Sequence, residues 1–258
     1  MPDSPVVLIT GSSSGIGYAT AKAAQADGWT VFVHGHDEAE TKAASESLGG
    51  VPYSAIDLAA PDAGGRLVAA CIAAHGRIDA AVNNAGIFPR AGLEETDLAF
   101  YDRVMAVNAR SPFFLIQAAV RAFRAQETKG AIVNIGSVNA HAGQPDLAVY
   151  SISKGALMTM TRNLADGLSA EGIRVNQLNP GWVLTDTEIR TQKALGRPDD
   201  WFEKIPPLWA PTGRPLTPEA VAKHVLFWIS DRSAPVTGQV YDVEQVPYLG
   251  RAVMSRTL

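Results

Sequence analysis

The chain of 258 residues carries 22 Lys and Arg against 26 Asp and Glu, which gives a formal net charge of −4. No basic run appears. This argues against nucleic acid or an anionic membrane as the main partner, since both attract clustered Lys and Arg. Hydrophobic residues make up 47% of the chain and charged residues 19%, a balance typical of a compact α/β protein and not of a disordered one.

The N-terminal residues Met1-Pro2-Asp3-Ser4-Pro5 lead into an apolar segment without the basic region and long apolar stretch of a secretory signal. No apolar stretch approaches the roughly 20 residues needed to cross a bilayer. We therefore expect a soluble, cytoplasmic protein. Cys71 is the only cysteine, so an intrachain disulfide is excluded, and we interpret it as a buried helical thiol.

Short β-branched runs alternate along the chain with longer Ala-rich segments. This order predicts a doubly wound sheet of seven parallel strands with helices on both faces. The predicted strands are 6–9, 30–34, 51–56, 78–82, 131–135, 173–178 and 239–243. The predicted helices are 16–26, 38–48, 62–75, 98–124, 149–170 and 218–230. Because no linker separates two hydrophobic cores, we expect a single domain over 1–258.

The segment at about 185–215 breaks this alternation, because it is rich in proline and glycine and carries Trp201, Phe202 and Trp209. We expect it to be a substrate-loop insertion and not one regular helix. Exposed aromatic side chains there favour a lid or binding loop. A surface excursion that packs on its own side chains is the alternative.

Residues 10–17 (Thr-Gly-Ser-Ser-Ser-Gly-Ile-Gly) follow the first predicted strand and open the first predicted helix. Glycines at such a turn let backbone N–H groups approach a pyrophosphate, and the helix N-terminus supplies free donors. Residues 83–86 (Asn-Asn-Ala-Gly) follow the fourth strand, at the sheet edge where doubly wound folds bind ligands. Together the two motifs predict a dinucleotide site in a Rossmann-type fold.

Tyr150 and Lys154 lie four residues apart on a predicted helix, so both side chains can point into one cleft. A tyrosine has a pKa of roughly 10, too high for an efficient base near neutral pH, and a nearby lysine would favour its phenolate. Ser137, at the end of the fifth strand, could hold a substrate oxygen near Tyr150. Beside a dinucleotide site, this pattern predicts proton transfer coupled to hydride transfer. An amphipathic helix that carries two polar groups is the alternative.

These motifs, with Asn108 and Asn179-Pro180-Gly181, occur in one order over nearly the whole chain. They resemble the short-chain dehydrogenase/reductase family, in its single-domain branch of about 250 residues. The resemblance implies an NAD(P)-dependent oxidoreductase that interconverts a secondary alcohol and a ketone. It also implies the catalytic residues Asn108, Ser137, Tyr150 and Lys154, with Asn108 bending its helix to position a water for a proton relay. An exposed helical Asn is the alternative reading of Asn108.

The glycine motif and the family resemblance together predict the ligand contacts. Asp57 is implied at the adenine ring, although it could equally cap the following helix, and Val183 with Thr185 at the nicotinamide carboxamide. The predicted cofactor contacts are Gly11, Ser13, Ser14, Gly15, Ile16, Gly17, Gly35, His36, Asp57, Leu58, Asn84, Ala85, Gly86, Tyr150, Lys154, Pro180, Gly181, Val183 and Thr185. The predicted substrate contacts are Ser137, Asn139, His141, Leu147, Tyr150 and Trp182. His141 could instead be an exposed loop histidine.

The end of the second strand bears on the choice between NAD and NADP. Gly35 stands where an acidic residue would repel a 2′-phosphate, and His36 can carry a positive charge. These two residues favour NADP(H) slightly over NAD(H). Asp37 could instead reach the ribose and favour NAD.

The sequence is compatible with several classes of substrate. A mixture of aromatic and hydrogen-bonding residues suits a sugar, polyol or sugar acid, but also a cyclic or aryl ketone. A 3-oxoacyl thioester is a further alternative, for which Arg90, Arg190, Lys193 and Arg197 could form a basic patch. A different class is a non-catalytic dinucleotide-binding protein. The five histidines are scattered, so no metal site is predicted.

The C-terminus departs from the family pattern, because Glu244-Gln245-Val246 stands where the family has Asp-Gly-Gly. We expect the tail to leave by another path. Its apolar residues Tyr248, Leu249, Val253 and Met254 could pack on a neighbouring subunit or on their own domain. The family resemblance implies a homotetramer.

Overall fold

The computed structural model describes residues 4–207 and 209–246. Its centre is a seven-stranded parallel sheet in the order β3-β2-β1-β4-β5-β6-β7. The strands are β1 (Val6–Ile9), β2 (Thr30–Gly35), β3 (Tyr53–Ala55), β4 (Ala80–Asn83), β5 (Ala131–Ile135), β6 (Arg174–Pro180) and β7 (Val240–Val243). The predicted doubly wound α/β fold is confirmed. The strand order reverses between β1 and β4, which places the ligand crevice at that point.

Helices cover both faces of the sheet. Within the described ranges they are α1 (Gly15–Ala26), α2 (Glu38–Ser47), α3 (Ala63–His75), α4 (Leu98–Met105), α5 (Ser111–Ala125), α6 (Ala148–Leu168), α7 (Asp186–Ala194) and α8 (Pro218–Ile229). None of these helices is both long and apolar enough to cross a membrane. The predicted burial of Cys71 in α3 is confirmed, and that burial raises the pKa of its thiol to about 12.

The two hydrophobic cores follow from the two-residue period of the strands. In β1, Leu8 joins the core on one face with Leu115 and Phe123. Its neighbours Val7 and Ile9 join the core on the other face. All four residues of β1 are buried, so the strand reads as a continuous apolar run. Each such side chain contributes about 1.5–3 kcal/mol on full burial, and the central strands are therefore a rigid base for the residues at their carboxyl ends.

The prediction of one continuous helix over 98–124 is wrong in detail. A π-helical turn at Ala106–Arg110 separates α4 from α5. Pro112 follows at the start of α5, and its ring nitrogen cannot donate a helical hydrogen bond. The regular bonding pattern therefore changes before it, and Asn108 lies within the π turn.

The segment 185–215 contains α7 and a short 3-10 turn at Trp201–Glu203. The expectation of exposed aromatics is wrong for Trp201, which is only 6% exposed and forms a small cluster with Ile205 and Ala210. It holds for Trp209, which is 53% exposed. The segment thus packs largely on its own side chains.

The chain beyond β7 begins with Glu244, whose carboxyl group lies directly against Gly181. A Cβ at Gly181 would come within 2.2 Å of that group, so the glycine allows the close approach. The apolar tail residues Tyr248, Leu249, Val253 and Met254 lie outside the described residues.

Candidate active site

The glycine-rich turn between β1 and α1 has the shape that the sequence predicts. Gly11 and Gly15 have φ angles of 62° and 54°, in the region that other residues rarely adopt. A Cβ at Gly17 would lie 2.3 Å from the Gly11 carbonyl oxygen, so only glycine fits. Ser14 caps α1 without a side-chain hydrogen bond, which leaves the first N–H groups of the helix available. The turn therefore fits a dinucleotide pyrophosphate.

Asn84 supports this turn from the neighbouring strand. Its Nδ2 donates to the carbonyl oxygens of Thr10 (2.9 Å) and Gly11 (3.1 Å). The Thr10 hydroxyl in turn accepts from the backbone N–H groups of Asn84 and Ala85, both at 3.0 Å. The residues of the second motif thus hold the first motif in place, and the side-chain donors of Asn84 are used inside the protein.

His34 is a residue of this site that the sequence reasoning missed. The backbone N–H of Gly11 donates to His34 Nδ1 (3.1 Å), and His34 Nε2 lies 2.9 Å from the Ile56 carbonyl oxygen. Because Nδ1 accepts, the proton sits on Nε2 and the ring is neutral. Burial lowers the pKa of His34 to about 4, with a smaller opposing effect of the Ile56 hydrogen bond and a further lowering by His36. A lone His at the end of an apolar strand was the available signal.

The end of β2 leaves no room for a side chain at Gly35. A Cβ there would lie 2.1 Å from Thr41 Oγ1 and 3.2 Å from Ser13 Oγ. Asp37 Oδ1 accepts from Glu40 N at 2.9 Å and caps α2, so one carboxylate oxygen is already engaged. His36 beside it is exposed.

Asp57 and Leu58 follow β3 at the same edge. Asp57 forms an ion pair with Arg103 (2.7 Å) and accepts from the Ala59 N–H (2.9 Å). The hydrogen bond from Arg103 is the main cause of the lowered pKa of this exposed carboxyl. Leu58 is buried. The partner Arg103 lies on α4 and was not predicted from the sequence.

Tyr150 and Lys154 share one face of α6, as their spacing predicts. Lys154 Nζ lies 5.7 Å from the centre of the Tyr150 ring and donates to the Ile135 carbonyl oxygen at 2.8 Å. A Cβ at Gly86 would be 3.2 Å from the same Nζ, so the Asn-Asn-Ala-Gly motif packs against the lysine side chain. Lys154 is 3% exposed, and burial lowers its pKa to about 8.

The phenol of Tyr150 does not have the lowered pKa that the sequence reasoning expects. Burial raises its pKa, hydrogen bonding with Ser137 lowers it, and the charge of Glu188 raises it. In the chain by itself, desolvation of the phenolate thus outweighs the favourable contacts. Ser137 and Tyr150 are nevertheless brought together as predicted, and the ring of Phe88 packs edge-on against Tyr150 at 6.1 Å.

Asn108 is 1% exposed, so the alternative of an exposed helical Asn is wrong. Its Oδ1 accepts from the Ile87 N–H (2.9 Å), and its Nδ2 donates to the Ile87 carbonyl (2.8 Å) and to Ser153 Oγ (3.0 Å). The π turn thereby joins α6 to the segment that follows β4.

The predicted nicotinamide contacts lie after β6, which ends at Pro180. Val183 forms an isolated parallel bridge with Leu216. The methyl group of Thr185 would be 3.3 Å from a Cβ at Gly15, so Thr185 lies over the glycine-rich turn. Its hydroxyl also caps α7 by accepting from the Glu188 N–H at 3.1 Å.

Of the predicted substrate residues, Asn139 lies beside Ser137, Leu147 lies just before α6, and His141 lies beside β7. Asn139 donates its backbone N–H to Ser137 Oγ (3.1 Å), while Leu147 is buried before α6. His141 Nε2 lies 3.1 Å from Asp242 Oδ1, which also accepts from Asn179 Nδ2 at 3.1 Å. His141 is exposed in a turn, as the alternative reading expects, and its ring is held by Asp242 of β7.

Trp182 leads into the loop cluster and stacks on Trp201, with ring centres 4.9 Å apart. Its indole N–H donates to Glu188 Oε1 at 2.7 Å. Glu188 is a further residue of the site that the sequence reasoning missed; the threonine three positions before it was the available signal. Within the described ranges, no three or more His, Cys, Asp and Glu side chains group in a way that could hold a metal ion.

Comparisons with known proteins agree with this geometry. A family model described as enoyl-(acyl carrier protein) reductase matches residues 11–245. The 2-(S)-hydroxypropyl-CoM dehydrogenase 3 of Xanthobacter autotrophicus is 37% identical, over 93% of this chain and 94% of that protein. The L-rhamnose 1-dehydrogenase (NAD(P)(+)) of Azotobacter vinelandii is 32% identical, over 90% of this chain and 92% of that protein.

One solved structure is also similar to this chain over nearly its whole length. It is described as a candidate NAD(P)-dependent gluconate 5-dehydrogenase from Beutenbergia cavernae with bound NADP. It superposes with a TM-score of 0.81 at 32% identity, over 95% of this chain and 98% of that one.

The fold and the matched range together define a Rossmann-type oxidoreductase that uses a nicotinamide dinucleotide and acts on CH–OH groups. The chain belongs to the short-chain dehydrogenase/reductase family.

Proposed function

We propose that this protein interconverts a secondary alcohol and a ketone on a small polyhydroxylated substrate, a sugar, polyol or sugar acid, with Tyr150 as the acid/base. The observation that carries the proposal is the meeting of Tyr150, Lys154 and Ser137 at the carboxyl edge of the sheet, beside the glycine-rich turn. The names of the rhamnose and gluconate dehydrogenase relatives support the sugar-like substrate class.

The chain's own residues supply positioning and proton transfer. The nicotinamide, when bound, accepts or supplies the hydride. Ser137 Oγ holds the reacting oxygen, and Tyr150 Oη takes its proton in oxidation and returns one in reduction. The ammonium group of Lys154 stabilises the phenolate and binds the ribose hydroxyls. Asn108 keeps α6 and the segment after β4 in register for this contact.

For the cofactor we propose NADP(H) over NAD(H). Gly35 brings no charge to the ribose end, and Asp37 Oδ1 accepts from Glu40 N to cap α2, which engages one of the oxygens that Asp37 would offer to the ribose of NAD. His36 is exposed at this edge and can carry a positive charge. The remaining predicted contacts, from Gly11 to Thr185, belong to the same proposal, as do one domain, a cytoplasmic location and a homotetramer.

A second candidate is reduction of a 3-oxoacyl thioester, which the name of a relative favours, the 3-oxoacyl-acyl-carrier-protein reductase of Thermotoga maritima, 33% identical over 93% of this chain. The basic patch that this substrate calls for is weak, because Arg90 pairs with Asp146 at 2.7 Å and Lys193 with Asp199 at 2.9 Å. The third possibility, dinucleotide binding without turnover, is disfavoured by the assembled Tyr150 and Lys154.

The test is the absorbance of the reduced nicotinamide while sugars, polyols, sugar acids, cyclic alcohols and acetoacetyl thioesters are offered with NAD(H) and NADP(H) separately. We expect turnover of a sugar or polyol with NADP. Turnover of thioesters alone would transfer the assignment to the second candidate. Cofactor binding without any turnover would support the non-catalytic class.

A further inference from the structure

Glu188, in the first turn of α7, is a carboxylate held firmly on one side. Its Oε1 accepts two hydrogen bonds, from Trp182 Nε1 at 2.7 Å and from Gln192 Nε2 at 2.6 Å. Gln192 is only 6% exposed, and Trp182 is stacked on Trp201. Hydrogen bonds to a charged acceptor are stronger than neutral ones, so the orientation of the carboxylate is well defined.

This orientation is not the one that its position in the helix favours. Thr185 and Glu188 have the spacing of a capping box, in which the glutamate would accept from the backbone N–H of the threonine. Here Thr185 N donates to the Val183 carbonyl oxygen at 3.0 Å instead. Only the hydroxyl half of the box is formed. The carboxylate is turned towards Trp182, which lies two residues after the end of β6.

The other oxygen of this carboxylate is open. Among residues 4–207 and 209–246, no donor lies within hydrogen-bonding distance of Glu188 Oε2, and no Lys, Arg or His forms an ion pair with it. The guanidinium of Arg197 lies 5.5 Å from the Trp182 ring centre, but it forms no ion pair with Glu188. Glu188 is partly exposed, and solvent reaches its Oε2 atom.

Glu188 lies beside the glycine-rich turn, because its backbone N–H donates to the Thr185 hydroxyl at 3.1 Å and the Thr185 methyl group lies over Gly15. Burial is the main cause of the raised pKa of Tyr150; Ser137 lowers that pKa, and the charge of Glu188 adds a smaller upward effect. A negative charge that acts on the phenol makes the phenolate less favourable.

We propose that Glu188 is the specificity residue of the substrate site, and that its open Oε2 accepts a hydrogen bond from a hydroxyl group of a neutral polyhydroxylated substrate. This assignment rests on the proposed function and narrows it. A carboxylate group of the substrate at this position would be repelled, so neutral sugars and polyols are favoured over sugar acids.

The experiment compares kcat/KM for oxidation of sorbitol and of 2-hexanol in the full-length wild-type protein and in Glu188→Gln. Glutamine keeps an oxygen for Trp182 and Gln192 but removes the charge and the second acceptor. We expect the sorbitol-to-hexanol ratio to fall about 10- to 100-fold. The apparent pKa in the pH profile of 2-hexanol oxidation should move down. The control Asp186→Asn removes one charge from an exposed position of the same helix and should leave both readouts unchanged.

Thermal melting shows whether the glutamine variant is folded. If it is not, Trp182→Phe serves instead, because it keeps the charge but loosens Oε1. The ratio should then fall about 3- to 10-fold with the pH profile retained. An unchanged ratio in a folded Glu188→Gln protein, or faster turnover of 2-hexanol than of sorbitol by wild type, would overturn the assignment and leave the reaction in place. Failure of wild type to oxidise any alcohol would instead remove the proposed function, and this assignment with it.

Discussion

Acidification should destabilise this protein through His34, because the folded chain holds the ring neutral. The buried imidazole accepts a hydrogen bond from Gly11 on Nδ1 and faces the Ile56 carbonyl with Nε2. Protonation would place a second N–H against the N–H of Gly11. The unfolded chain binds this proton near its ordinary pKa of 6.5, and the folded chain only near about 4. Stability is therefore complete above 6.5 and is lost as the pH falls towards 4.

The magnitude follows from the same two values. The fall from 6.5 to about 4 corresponds to a total of about 3 kcal/mol. At pH 5 the unfolded ring is almost fully protonated and the folded ring is still neutral, so about 2 kcal/mol of this is already lost relative to pH 7. His34 is 2% exposed, and solvent screening therefore reduces this value little.

The assay is urea unfolding of wild type and His34→Asn at pH 7 and pH 5, at one fixed protein concentration. The other titrating groups are common to both proteins, so the difference between their two pH dependences isolates His34. We expect wild type to lose about 2 kcal/mol more than the variant between these pH values. Equal losses in the two proteins would show that the ring is not held neutral, and the account of the glycine-rich turn would have to change.

Three further changes test other parts of the structure. Tyr150→Phe should lower kcat by about 100-fold or more and leave NADP affinity, measured by fluorescence titration, nearly unchanged, whereas the exposed control Tyr101→Phe should do neither. Gly35→Asp, meant to favour NAD, should cost about 1–3 kcal/mol in urea unfolding because Thr41 Oγ1 occupies the space. Combined with Thr41→Ala it should be better folded and should show a higher NAD-to-NADP ratio of kcat/KM. Trp201→Ala should expose residues 185–215 to limited proteolysis, since it removes the centre of the loop cluster; equal cleavage rates would contradict that packing.

The fold could be predicted because its strands are buried on both faces. Such strands appear in the sequence as unbroken apolar runs, and Val6–Ile9 and Ala131–Ile135 match the prediction residue for residue. The edge strand Tyr53–Ala55 is shorter than the predicted 51–56, and its residues are only partly buried. Where burial is incomplete, the pattern no longer marks the end of a strand.

The site was predictable where its residues follow one another closely in the chain. Tyr150 and Lys154 are four residues apart on one helix, so their meeting follows from helical geometry. The pairing of Gly11 with His34 crosses from one strand to the next, and that of Asp57 with Arg103 spans 46 residues. No pattern of neighbouring residues in the sequence predicts such contacts. The same holds for Trp201, whose burial depends on how an irregular segment folds back onto Trp182.

The glycine-rich turn and Glu188 are held by different parts of the protein. The glycine-rich turn is supported by Asn84 and His34, both anchored to the sheet. The carboxylate of Glu188 is instead held by Gln192 of α7 and by Trp182, and Trp182 packs on a separate cluster. A change in the cluster can therefore move Glu188 without disturbing the cofactor turn. The proposed role of Glu188 would consequently make substrate choice depend on the segment whose sequence is the least regular.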